Sequence, residues 1–379
     1  MIYQRFTFRN LPADGRISFT CSSNIAVLPV HDLIAIRKPS SQSSSDFGWA
    51  VTEWHFIEDP EIQVLFIRGP AVQLHSKFES KISHDKNMAN LVGGSYRYKG
   101  IPFLDKVFPK YCLEAMETFE VREDDVFVVT YPRSGTVMMQ QIISLIVDHE
   151  DATAPTEVQL RDRIPFLERH HPGKEKPEFE ILQTLPSPRF IKTHLARQLA
   201  PPQMFEKKAK VLHLVRNPKD TFVSNYHFQQ AFNPNTSFND YLDNFLDGEV
   251  TFGSWFEHTK HWLSLKDTEN VMVLHYEDVV RDMSHNILKI ADFLIAKKIS
   301  EEKLEEIVKK CSFDNMRMNK SVNHRGIDFG SKEKNIVVRK GVIGDWKNYF
   351  TVAQNERFDA EYRKKMAGVD VTFKDAELF

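Results

Sequence analysis

The chain has 379 residues, of which 41% are hydrophobic and 27% charged, and its formal net charge is −2. This is the composition of a globular protein; it excludes a disordered or fibrous chain, and the near-neutral balance argues against nucleic-acid binding over a broad surface. Three cysteines, Cys21, Cys112 and Cys311, show no paired spacing, so neither a disulfide framework nor a zinc site is signalled, and a reducing compartment fits best.

Residues 1–90 differ in texture from residues 91–379. They carry a Ser-rich break at 39–45 and short strand-like runs such as Ile62–Ile67, but no catalytic constellation. This segment reads either as a regulatory or partner-binding extension or as poorly ordered sequence without a catalytic role. The apolar stretch Ile25–Ile36 is interrupted by Pro29, His31 and Asp32 and lacks both a basic flank and a small-residue cleavage site, unlike a secretory leader. No stretch reaches the roughly 18 uninterrupted apolar residues of a membrane span. A soluble, cytoplasmic protein is expected.

From Ser95 onward short apolar strands alternate with helical patterns. The strands are Val126–Val129, Phe190–Ile191, Val211–Val215 and Val271–Leu274; Ile287, Ile290, Ala291 and Leu294 repeat at helical spacing, as do Leu304, Ile307, Val308 and Cys311. Such alternation predicts an α/β fold, a P-loop-like central parallel sheet with helices on both faces, with ligands bound at the carboxyl ends of the strands. The key stretch is Asp124–Asp148. An unbroken β-branched strand meets Pro132, Gly135 permits a tight turn, and Met139, Ile142, Ile143 and Ile146 then follow at helical spacing from a start near Thr136. The free N–H groups of that helix start, with Arg133, Ser134 and Thr136, suit a phosphate or sulfate ester. An ordinary strand-to-helix turn would look similar, and the Walker pattern GxxxxGK[ST] is absent.

The residues after the other strands extend this picture. Lys192 and His194 lie two apart on an extended segment and point the same way; a neutral histidine could act as a base while the lysine stabilises oxyanions, or His194 could simply pack. Arg216 ends the third strand and Ser224 follows on the next helix, which makes either a second anion site or an ordinary Arg216–Asp220 pair. Tyr276 could stack on a base. Arg339-Lys340-Gly341, ahead of Gly344-Asp345-Trp346, suits either a loop closing over phosphate or a solvated charged loop.

Taken together, YPRSGT at 131–136, KTHL at 192–195, RNPKD-x3-S-x2-HF at 216–228, GSWF at 253–256, YED at 276–278, SF at 312–313 and RKG-x2-GDWKNYFT at 339–351 resemble the eukaryotic cytosolic sulfotransferases, in order and spacing. The resemblance implies transfer of the sulfuryl group of 3′-phosphoadenosine 5′-phosphosulfate (PAPS) to a hydroxyl or amine of a small alcohol, phenol or amine, without a metal. It implies that the loop Arg133, Ser134, Gly135, Thr136, Val137 and Met138 cradles the 5′-phosphosulfate. Arg216, Ser224 and Arg339-Lys340-Gly341 would hold the 3′-phosphate, and Tyr276, Cys311, Phe313 and Met316 would line the adenine. His194 would be the general base, with Lys192 and Arg133 stabilising the sulfuryl oxygens and leaving phosphate. Segment 157–172, with Ile164-Pro165-Phe166-Leu167, would form one wall of the acceptor pocket, and Lys347–Glu356 resembles the family's dimerisation motif, which implies a homodimer. The chain departs from the family pattern in three places: Arg133 replaces the loop's lysine, Val137-Met138 replaces a hydroxyl and an aromatic, and Cys311 replaces a threonine. These departures leave open a weakened relative that only binds the nucleotide. A kinase using MgATP is disfavoured by the missing Walker lysine.

Overall fold

The computed structural model describes residues 94–147, 158–171, 174–295, 298–322 and 337–373, together with the backbone of 16–21, 24–29, 54–56 and 65–67. The chain divides into two units, Met1–Lys81 and Ile82–Phe379. In the first, Arg16–Cys21 pairs antiparallel with Asn24–Pro29, and Trp54–Phe56 pairs antiparallel with Leu65–Ile67, inside the Ile62–Ile67 run. The Ser-rich stretch at 39–45 lies outside the described residues.

The second unit is built on β1 (Val126–Thr130), whose five residues are all buried. A strand with apolar side chains on both faces has to be covered twice. Val126 and Val128 pack on one side with Ile142, Ile143 and Ile146 of α1 (Thr136–Val147), whereas Phe127 and Val129 pack on the other with Ile191, Val211 and Trp262. Full burial of each such Val or Phe contributes roughly 1.5–3 kcal/mol.

Three further strands, β2 (Phe190–Thr193), β3 (Lys210–Val215) and β4 (Val271–His275), complete a parallel sheet in the order β4–β3–β1–β2. The chain moves from β1 to one side and then returns to the other, so the switch point of the sheet falls at the carboxyl end of β1. Helix α2 (Pro218–Phe232) follows β3. Then come α3 (Phe238–Asp247) and α4 (Trp255–Leu263), and after β4, α5 (Tyr276–Arg281), α6 (Met283–Ile295), α7 (Glu301–Cys311) and α8 (Phe313–Met318). The last helix, α9 (Val352–Lys365), begins with a capping box between Thr351 and Gln354 and packs Phe358 and Tyr362 into a third core with Phe222, Phe245 and Trp255.

All four strands are longer than their apolar runs: β1 adds Thr130 and β3 adds Lys210. β2 continues to Thr193, so Lys192 lies inside the strand rather than after it, because its N–H donates to Pro165 O at 2.9 Å and its carbonyl accepts from Leu167 N at 2.9 Å. Backbone pairing with 165–167 carries the strand past the point where apolar patterning stops. β4 likewise includes His275, paired with Val215.

Candidate active site

At the switch point, the loop between β1 and α1 turns through two left-handed residues, Arg133 at φ 70° and Gly135 at φ 101°. Glycine is required at the second: a Cβ there would stand 2.5 Å from the Tyr276 ring and 3.0 Å from Leu214. Ser134 is fully buried, yet its hydroxyl meets no partner among the described residues. A buried hydroxyl beside the N–H groups of a helix start is suited to bind an anion. Val137 is half-buried and Met138 buried against the core of α1.

His194 stands beside this loop, one residue past β2 and buried. Its Nδ1 is 2.7 Å from the carbonyl oxygen of Thr130. A carbonyl can only accept, so Nδ1 carries the proton and Nε2 carries the lone pair. Burial first, then the charge of Lys192, holds the imidazole well below its usual range, so the ring is neutral near pH 7. The Thr130 hydroxyl joins the site to the loop, at 3.0 Å from His194 Nδ1 and 2.7 Å from Thr136 Oγ1. Lys192 lies with its ammonium 3.9 Å from the centre of the Phe166 ring, and burial lowers its pKa to about 7.

Two residues of this site escaped the sequence reading. Glu168 is fully buried and accepts the His194 backbone N–H at 2.8 Å, and burial raises its pKa to about 7. Phe252, at φ 73°, places its ring 5.4 Å from His194, while Phe166 approaches from another side at 4.8 Å. The histidine is thus framed by aromatic rings. Residues 158–171 of the expected acceptor wall are described, and Phe166 and Glu168 are among those that reach His194; residues 157 and 172 lie outside the described residues.

The second basic group forms on the other side of the loop. Asn217 caps α2 by accepting from the N–H groups of Lys219 and Asp220, and Pro218 opens the helix. This fixes Arg216 and Ser224 relative to each other. Arg216 is buried, donates to Arg133 O at 3.0 Å and stacks 4.5 Å over Tyr276, while its Nε has no partner. The Asp220 carboxylate accepts instead from the backbone of Gly344 at 2.7 Å and Trp346 at 3.0 Å, so it serves as a brace for that turn. Arg133 donates through Nε to Ser224 Oγ at 3.2 Å and through Nη2 to Val337 O at 3.1 Å, with its pKa lowered to about 10 by burial and the nearby Arg216 and Arg339. Arg339 and Lys340 both reach Asp345, and a Cβ on Gly341 would stand 2.5 Å from Phe313. Cys311 and Met316 are buried in the same core as Tyr276, Met138 and Phe313, where burial pushes the Cys311 thiol up to about 12. The structure therefore gathers the expected residues into two groups, one around His194 and one around Arg216, with Arg133 between them.

The sulfotransferase domain family matches residues 123–370. Human sulfotransferase 1C2 is 40% identical over 264 residues, covering 68% of this chain and 88% of that protein. The chain belongs to the eukaryotic cytosolic sulfotransferase family. Bovine sulfotransferase 1A1 is 39% identical over 285 residues, covering 73% of this chain and 94% of its own. Among solved structures, mouse sulfotransferase SULT7A1 complexed with PAP aligns with a TM-score of 0.61 at 32% identity, over 73% of this chain and 96% of that one. Retinol dehydratase in complex with androsterone and inactive cofactor PAP aligns with a TM-score of 0.67 at 26% identity, over 77% and 96%. Among the described residues of this sulfotransferase, no helix is long and apolar enough to cross a membrane.

Proposed function

We propose that this sulfotransferase moves the sulfuryl group of PAPS onto a hydroxyl or amine of a small-molecule acceptor, with His194 as the general base. The observation that carries the reading is the fixed tautomer of His194: Nδ1–H is held by Thr130 O, which leaves the Nε2 lone pair of a neutral ring beside the anion cradle. Nε2 takes the acceptor's proton as its oxygen or nitrogen attacks sulfur, and the bond from sulfur to the 5′-phosphate breaks with its electron pair leaving on the nucleotide. Lys192 and Arg133 stabilise the charge on the sulfuryl oxygens and leaving phosphate, work that in other phosphate enzymes falls to a metal. The loop 131–138 holds the 5′-phosphosulfate. The Ser134 hydroxyl, unpartnered among the described residues, is an open donor for that group, while Arg216, Ser224 and Arg339-Lys340-Gly341 hold the 3′-phosphate, for which the Nε atoms of Arg216 and Arg339 are open donors. Tyr276, Cys311, Phe313 and Met316 line the adenine side.

The solved complexes of retinol dehydratase with androsterone and with retinol support a small alcohol as the acceptor class. The protein acts in the cytoplasm as a homodimer through Lys347–Glu356, with residues 1–90 as a non-catalytic extension. A weakened relative that only binds the nucleotide is the second reading, favoured by the tie of Arg133 to Ser224 and Val337. Incubation with radiolabelled PAPS and a panel of alcohols, phenols and amines separates the two. Labelled product supports the transferase; tight bisphosphate binding without product for any acceptor class overturns it.

A further inference from the structure

Between the two basic residues of the C-terminal loop and the helix that carries Ser224 stands a buried carboxylate with no assigned role. The Asp345 side chain is 3% exposed and accepts from Arg339 Nη2 at 2.8 Å, Lys340 Nζ at 2.5 Å and Asn348 Nδ2 at 2.9 Å. Its neighbours on both sides, Gly344 and Trp346, donate their backbone N–H groups to Asp220 on α2, one turn before Ser224. The turn at 344–346 is thus tied to α2 through Asp220, and the Asp345 side chain within it is tied to Arg339 and Lys340.

We propose that Asp345 is the positioning residue of the 3′-phosphate site, holding Arg339 and Lys340 in their nucleotide-binding arrangement before the ligand arrives. This rests on the assignment of that loop to the 3′-phosphate. Long basic side chains lose rotamer freedom when they close on a ligand, so fixing them in advance raises affinity without adding a contact. The bonding pattern fits that task. One carboxylate faces two cations, so a net positive charge remains, and Arg339 keeps its buried Nε unbonded. The three bonds also hold the carboxyl of Asp345 down to about 2, so it stays charged throughout the working range. A simple counter-ion would act in the opposite sense, because its removal would add positive charge and tighten the binding of any phosphate.

The test is calorimetric titration of wild type and Asp345→Asn with adenosine 3′,5′-bisphosphate and with AMP. The expected result is at least a tenfold loss for the bisphosphate with AMP affinity changed less than twofold. Tighter bisphosphate binding, unchanged binding, or equal loss for both nucleotides overturns the proposal. Arg339→Met/Lys340→Met and the Asp345→Asn/Arg339→Met/Lys340→Met triple variant guard against a folding defect. If Asp345 acts through Arg339 and Lys340, the triple variant binds the bisphosphate less than threefold more weakly than Arg339→Met/Lys340→Met, whereas multiplied losses overturn the role. Wild-type protein with no preference for the bisphosphate over AMP would instead sink the site assignment itself, a failure distinguishable from that of Asp345.

Discussion

The His194 group and the Arg216 group are built in opposite ways. Among the described residues, the polar atoms of His194 and its loop partners are matched: Nδ1 by Thr130, the backbone N–H by Glu168, and the Thr130 hydroxyl by Thr136; one oxygen of Glu168 and both ring nitrogens of the neighbouring His258 are the exceptions. Around Arg216 the buried donors without a partner among the described residues include the Ser134 hydroxyl, the Nε atoms of Arg216 and Arg339, and Asn217 Nδ2. A buried unsatisfied donor costs about 1–3 kcal/mol, so an anion that accepts from these donors stabilises the second group. In the proposed reaction this difference makes proton transfer and nucleotide binding separable: the base is held in place by bonds within the chain, whereas the second group offers donors to an anion.

The largest effect expected from breaking this division is at the base. His194→Ala should lower turnover by about 10²-fold or more, the usual scale for a general base, while bisphosphate affinity and Tm stay close to wild type. Turnover, calorimetry and melting on one preparation check it; joint loss of affinity and stability would mean that the histidine only packs. Next is Arg216→Ala, which removes a charged contact worth about 1.5–3 kcal/mol and should weaken bisphosphate binding at least tenfold. Equal affinity of the wild type for AMP and the bisphosphate would break that assignment.

The pH profile sharpens the comparison further. His194 must be neutral and its pKa is depressed, so kcat/KM should fall with acid only below the usual 6.5. Lys192 must be charged, so the free enzyme should also lose kcat/KM as pH rises through about 7. Lys192→Met should lower the plateau and abolish the alkaline limb while keeping the acid one. An acid limb above 6.5 contradicts a buried base. The smallest effect is at the surface: Val352 is 75% exposed at the start of α9, and Val352→Glu should convert dimer to monomer in light scattering while stability shifts by no more than about 0.5 kcal/mol. A monomer in both proteins would refute the homodimer, and a dimer in both would place the interface elsewhere.

The parts legible from sequence were those written in local patterns. β1, its glycine turn and α1 follow from an apolar run, Pro132, Gly135 and a helical repeat; Arg216 and His194 stand where parallel strands end. Glu168 gave no such sign. It reaches His194 because residues 165–167 pair with β2, a contact that no periodicity reports. Phe252 arrives through a left-handed turn before α4, and the available signal was an aromatic immediately ahead of Gly253. Asp220 read equally well as a partner for Arg216, and only the fold shows that it braces the turn at 344–346.

The most direct test of separability is kcat/KM for PAPS in the His194→Ala/Arg216→Ala double variant, set against both single variants. Independent groups predict that the two losses multiply, with free energies adding within about 0.5 kcal/mol. A double variant no worse than the weaker single variant would show that His194 and Arg216 belong to one cooperative unit, and would contradict the division of the site into a base and a nucleotide clamp.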